Sequence, residues 1–403
     1  MSTPEPIAAV RAHARGALLP LYAAGFVTAF GAHSIAASLG GYTHAQHASL
    51  LALGVLLAVY DGAEIVLKPL FGSLADRVGA RPVLLGGLLA FAAASAAFVL
   101  AGDPGWVGVA RFGQGAAAAA FSPAAGVLVS RLTPPGGQGR GFGRYGAWKG
   151  LGYTLGPLLG GVLIAGGGYD LLFATLAVLG VAVAGWALLT VPEVPPLPRT
   201  RQTVADLARR LTSPGFVRPT LALAAATAAL SVGVGFLPVV GAGRGLGPLV
   251  TGAIVSLLAA AAALIQPRAG RARDDGRIGD RTGMATGLAL TAAGCAAVLI
   301  PGVAGLLTAA ILIGIGVGLI TPIGFAHLAA TTPTERLGQT MGSAEVGREL
   351  GDAGGPLLVG ALATAITLTP ALLGFAGILT AAAAIVAAPS RQPQHRTGGG
   401  SGV

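Results

Sequence analysis

Apolar residues fall into twelve long runs, near 17–39, 50–70, 82–101, 105–130, 146–166, 170–191, 217–240, 247–269, 284–301, 304–330, 341–366 and 370–389. Each supplies roughly the 20 mostly apolar residues that a helix needs to cross a bilayer core. Gly, Pro and charged residues punctuate the runs and mark the turns between them. The pattern predicts an all-α membrane protein of twelve transmembrane helices. One interval differs: residues 192–216 hold Pro192, Pro195, Pro196 and Pro198, followed by the amphipathic stretch Val204–Leu211. It reads as a linker with a short surface helix. The chain then divides into an N-terminal segment at 1–16, a six-helix half at 17–191, the linker at 192–216, a second six-helix half at 217–389 and a tail at 390–403 expected to be disordered.

Composition strengthens the membrane reading. Of 403 residues, 54% are hydrophobic and 10% charged, with a mean hydropathy of +0.76, whereas soluble chains are about a quarter charged. The 66 glycines recur inside the apolar runs, where small residues let membrane helices approach closely. The single Cys295 excludes a disulfide framework. A net charge of +10 raises nucleic acid as a partner, but the arginines are scattered between apolar stretches with no interleaved aromatics, so that reading is rejected. The apolar run that follows Arg11 and Arg15 is too long for a signal-peptide core and is expected to remain as the first span.

Basic residues lie on one side of the predicted spans. Arg77, Arg81, Arg131, Arg140, Arg144, Arg199, Arg201, Arg209, Arg210, Arg268, Arg271, Arg273, Arg277 and Arg281 occupy alternate connections, and the opposite set holds only Arg244. The positive-inside bias places both termini in the cytoplasm, in an inner membrane, as an even number of spans requires.

The two halves repeat at an offset of 198–199 residues. Pro69-x-x-Gly72-x-x-x-Asp76 matches Pro267-x-x-Gly270-x-x-x-Asp274, Ser122-Pro123 matches Thr321-Pro322, and Gly152-x-x-x-Gly156-Pro157 matches Gly351-x-x-x-Gly355-Pro356. Parallel repeats of this kind place a binding site between the halves, near the midplane.

These residues also carry a resemblance. Gly72-Ser73-Leu74-Ala75-Asp76-Arg77-Val78-Gly79-Ala80-Arg81, between the second and third spans, resembles the loop signature of the major facilitator superfamily. Arg111-Phe112-Gly113-Gln114-Gly115 resembles its second motif, and Gly152 to Gly161, with Gly156, Pro157 and Gly160, is similar to its antiporter motif. The second-half loop departs from the signature, with Asp275 in place of a basic residue. The resemblance implies the major facilitator fold and alternating access. It further implies that Asp76 meets the start of the eleventh helix near Thr340–Ser343, that the Gly152/Gly156/Gly160 face packs on the eighth helix, and that the second and eleventh helices face each other.

Charges inside a span cost about 2.5–3.5 kcal/mol each on insertion scales and need a partner or a wet cavity. Asp61, Glu64 and Lys68 lie in the second span, and Glu345, Arg348, Glu349 and Asp352 form one stripe on the eleventh. Glu64–Lys68, Glu345–Arg348 and Arg348–Asp352 have pairing spacings, and Lys68 sits where it can snorkel. With the two helices facing, Asp61 or Glu64 would meet Arg348. A carboxylate that gains and loses such a partner can carry a proton, with Asp61 the first choice, then Glu349 and Asp352; static pairing that fixes helix register is the alternative. Arg111, and Lys149 at the repeat position of Arg348, are further candidates for the proton or substrate path. Tyr22, Phe26, Phe30, His33, Phe236 and Phe325 are candidate cavity residues, and His327 a lone intramembrane histidine. No nucleotide-binding, hydrolase or metal-ligand motif is present.

The reading is therefore a transporter, not an enzyme. It uses no cofactor or metal beyond a proton gradient and acts as a monomer in the bilayer. It would export a small amphipathic or cationic compound by proton antiport, as in multidrug resistance. A proton-coupled permease or exporter of an anion or metabolite is the alternative, and a non-transporting scaffold a weaker one.

Overall fold

The structure is a computed structural model that describes residues 16–35, 50–99, 104–196, 204–246 and 248–389. The N-terminal segment and the tail from 390 therefore lie outside the described residues, as does part of the linker. Among the described residues all regular structure is helical. The first half holds α1 (Gly16–Ile35), α2 (Leu50–Val78), α3 (Ala80–Val99), α4 (Pro104–Leu132) and the long α5 (Gln138–Thr190). The surface helix α6 (Val204–Leu211) precedes α7 (Pro214–Gly243), α8 (Pro248–Asp274), α9 (Asp280–Ala296), α10 (Gly302–Thr331), α11 (Leu337–Ile366) and α12 (Leu368–Ala387).

The fifth and sixth expected spans are both inside α5, which breaks at Gly167 and Gly168. Gly168 has φ 74°, a conformation open to glycine at little cost. Beyond the break the chain folds back. Gly156 lies against Phe30 of α1, and Leu176, twenty residues further on, lies against Gly31, the next residue of the same helix; a straight helix would carry it about 30 Å away. Nine of the described helices, α5 counted once, are long and apolar enough to cross a membrane. The second arm of α5, together with α2 and α11, which carry the charges, completes the twelve.

Helices extend past the apolar runs at the end of the molecule that bears the arginines, called here the basic end. α2 continues to Val78, α5 begins at Gln138 and α11 at Leu337. Hydropathy registers only the bilayer, whereas these polar turns are helical because other groups cap them, as shown below.

Within the first half α2 packs on α4, and α3 on α4 and α5; within the second, α7 packs on α10 and α11, α10 on α8 and α9, and α9 on α12. The halves meet chiefly through α2 on α11 and α5 on α8, two contacts that the repeat exchanges. Large apolar side chains such as Val66, Leu70, Val178, Leu189 and Leu357 are exposed away from the cavity, as a lipid-facing surface requires. At the basic end the linker is tied down by Arg81–Glu193 at 2.7 Å, Arg131 to the Pro195 carbonyl at 3.0 Å and Arg210 to Gln339 at 3.0 Å.

Candidate functional site

Two matching clamps close the basic end. The Asp76 carboxylate accepts hydrogen bonds from the backbone N–H groups of Gly338 (2.7 Å) and Gln339 (2.9 Å). These are orphan donors of the first turn of α11, where the helix dipole favours a negative charge. Asp274 does the same for α5, accepting from Gly139 (2.9 Å) and Arg140 (2.8 Å). Gly72 lies directly on the Gly338 backbone, and Gly270 on that of Gly139. A side chain at either position would collide with the opposite half. The contact of Asp76 falls at Gly338 and Gln339, two residues before the expected Thr340–Ser343. The second clamp forms despite the departure at Asp275, which itself pairs with Arg140. Gly79, with φ 99°, makes the turn after α2. Arg81 ties that turn to the linker, and Arg77 lies in the last turn of α2. In the second half the clamp leads into a further chain: Arg273 holds Asp280 at 2.8 Å, and Asp280 meets His327 Nδ1 at 2.8 Å.

Above the clamps, Lys68 lies at the seam between the halves with no exposed surface. Its ammonium is 2.5 Å from Glu349, 3.4 Å from Glu64 and 3.5 Å from Glu345. Glu345 also holds Arg348 at 3.0 Å. This corrects two expectations. Lys68 does not snorkel, because α11 stands across its path to water. Arg348 pairs within its own helix rather than with Asp61 or Glu64; the bridge between halves is made by Lys68. Asp352 accepts a hydrogen bond from Ser231 of α7. Oxygens of Asp61, Glu64 and Glu349 lie within 4.8 Å of one another, with the Lys68 ammonium beside the two glutamates.

A cavity of about 720 Å³ opens between the halves over this cluster. Asp61, Glu64, Glu345, Arg348, Glu349 and Asp352 face it from α2 and α11, Lys149 and Pro157 from α5, His33 from α1 and Phe325 from α10. Its floor at the basic end includes Phe142 stacked on Phe325 across the halves, centroids 5.7 Å apart. The other candidate aromatics lie outside the lining. Tyr22 and Phe30 are buried in the first half, Phe26 stacks on Phe30 at 5.9 Å, and Phe236 approaches Gly360 of α11. Arg111 is buried behind the wall, its guanidinium 4.4 Å from the Tyr60 ring centre and 3.4 Å from Gln114.

The glycine stripe of α5 faces a different partner from the one expected. Gly152, Gly156 and Gly160 pack on Phe26, Phe30, His33 and Ser34 of α1, within the same half, and their repeats Gly351 and Gly355 pack on Ala224 and Ala228 of α7. Gly161 has open space around it, and Pro356 continues the second copy within α11. The face of α5 that meets α8 is a second row, Gly139, Gly143, Gly146 and Gly150, set against Gly270, Gln266 and Ala263. Its spacing was visible in the sequence as another small-residue period.

These features fix the type of protein. Two repeated six-helix halves, clamped at one end by paired loop carboxylates over a central cavity, agree with a family profile for the Major Facilitator Superfamily, which matches residues 21–275 and again 220–402. The chain belongs to the major facilitator superfamily. It is therefore a multi-pass membrane protein of a superfamily whose members are transporters rather than enzymes. Among superfamily relatives, a puromycin resistance protein of Streptomyces alboniger is 45% identical over 93 residues, 23% of this chain and 18% of the relative. A probable actinorhodin transporter of Streptomyces coelicolor is 32% identical over 173 residues, 42% of this chain and 29% of the relative. The matched stretches thus span less than a third of either relative. The crystal structure of the human organic anion transporter MFSD10 superposes with a TM-score of 0.79, covering 93% of this chain and 99% of that one at 17% identity; it shares the fold.

Proposed function

We propose that the protein is a proton-driven exporter of small amphipathic compounds, working by alternating access with its basic end and both termini in the cytoplasm. One observation carries the coupling. Glu64, Glu345 and Glu349 share two cations, Lys68 and Arg348, so the fully ionised group holds one negative charge too many. A buried, uncompensated charge is costly, and a single proton brings the group to neutrality. Because Lys68 and Glu349 belong to different halves, rocking the halves changes which carboxylate the ammonium neutralises, and so where the proton is held. The antiporter-like glycine and proline motif and the relatives named for antibiotic resistance and transport support export over uptake. The arginine asymmetry supports the orientation.

The test is a pH-reporting proteoliposome assay with a panel of antibiotic-type compounds. Compound-dependent proton flux is expected in the wild type. Glu349→Gln should retain compound binding and lose at least about tenfold of the proton-driven flux, a change of some 1.4 kcal/mol. Full flux in Glu349→Gln would overturn the coupling assignment.

A further inference from the structure

Most charges around the cavity are satisfied, and two are not. Lys149, on the α5 wall, has no ion pair or hydrogen bond among the described residues; its ammonium lies over the Tyr153 ring, 5.8 Å from the centroid. Asp61, on the α2 wall, is exposed into the same space and likewise lacks an ion pair or hydrogen bond among the described residues. The two do not pair with each other. An ammonium and a carboxylate that face a cavity inside a membrane protein with no ion pair of their own mark a functional site. Tyr145, one helical turn before Lys149 and on the same face of α5, also lines the cavity, but its hydroxyl is enclosed and its ring packs on Gly25 of α1, so it leaves Lys149 as the positive pole.

We propose that the cavity binds an amphoteric compound: an acidic oxygen of the ligand sits on Lys149, and a basic nitrogen on Asp61. The tilted pair of His33 and Tyr153, with centroids 4.2 Å apart, offers a ring surface beside the acid-binding pole. The alternatives of a purely cationic or a purely anionic substrate each leave one pole without a partner. The inference rests on the export reading and narrows it to one class of substrate.

The test uses an aromatic amino acid–type antibiotic, norfloxacin, with its methyl ester, which lacks the acid, and its N-acetyl derivative, which lacks the basic amine. Binding is measured in detergent, with no gradient. On the wild type the parent should bind about ten- to a hundredfold more tightly than either derivative, the value of one charge-assisted hydrogen bond at each pole. Lys149→Gln should abolish the preference over the ester while leaving the preference over the N-acetyl form. Asp61→Asn should do the reverse, and Lys149→Arg should keep both. The wild-type series needs no variant, so a misfolded mutant cannot decide the outcome. Equal binding of parent, ester and N-acetyl form, with compound-driven proton flux intact, overturns the two-pole site and leaves export standing. Absence of that flux for every compound overturns export itself.

Discussion

At the scale of single residues, Lys68 is the most informative side chain. An ammonium at the end of an apolar run has two outcomes, reaching up to water or being enclosed by a partner helix, and the choice lies with residues some 280 positions away. Sequence could place Lys68 beside Glu64 through helical spacing. It could not show that α11 brings Glu345 and Glu349 against the same nitrogen. The intrahelical pair Glu345–Arg348 was legible for the same reason that the pair between halves was not: one is fixed by helix geometry, the other by packing. Removing the cation leaves Glu64 and Glu349 without a basic partner at the seam, while Glu345 keeps Arg348. Lys68→Met should therefore cost about 3–5 kcal/mol of stability, the range for breaking a buried ion pair from one side. Lys68→Met combined with Glu349→Gln should recover part of it. Thermal unfolding in detergent of the two single variants and the double variant reads this directly. A loss below about 1 kcal/mol in Lys68→Met would mean the cluster is hydrated and its pairing weak, as at exposed sites.

At the scale of elements, α5 shows what periodicity conveys and what it leaves open. The Gly152/Gly156/Gly160 row was plain in the sequence, and that it marks a close helix contact follows from the absent side chains. Which helix it contacts does not follow. In the structure it fixes α5 to α1 within one half, while the other row, from Gly139 to Gly150, meets α8 across the seam. The rows therefore have different work, one holding a half together and the other letting the halves close. A Cβ at Gly143 would stand 2.5 Å from the Gln266 carbonyl oxygen, and one at Gly152 2.5 Å from that of Phe26. Gly143→Val should prop the seam open without loosening the half, and Gly152→Val should destabilise the half. In a Cys295→Ala background, a cysteine at Ser122, which faces the cavity, reports the difference. Maleimide applied from the basic end should label it faster with Gly143→Val and at the unaltered rate with Gly152→Val, whose effect should appear as a lowered melting temperature.

At the scale of the whole molecule, the repeat decides how the structure can move. The exchange of α2 and α5 for α8 and α11 puts one carboxylate clamp on each side of a pseudo-twofold axis, so the closed basic end is held twice by the same device. The repeat, the twelve spans and the side of the arginines were all readable from the chain, because each is a one-dimensional pattern. The second clamp was readable in part: the repeat marked Gly270 and Asp274 as gating residues, but Asp275 breaks the signature and left their partner unplaced, while the part that matters physically is the Gly270-to-Asp274 spacing on the last turn of α8. That spacing delivers the carboxylate to the first turn of α5 whatever residue follows it. A clamp of this kind is a side-chain cap on another helix and should contribute about 1 kcal/mol to the closed state. Asp76→Ala or Asp274→Ala should each shift the open-to-closed ratio at the basic end about fivefold. Because the two sites share no partner, their effects should add, and the double variant should shift the ratio about thirtyfold. Labelling of the Ser122 cysteine from the basic end measures all three. If Asp76→Ala shifts the ratio and Asp274→Ala does not, the halves are not equivalent in closing, and the gate depends on the α2–α11 contact alone.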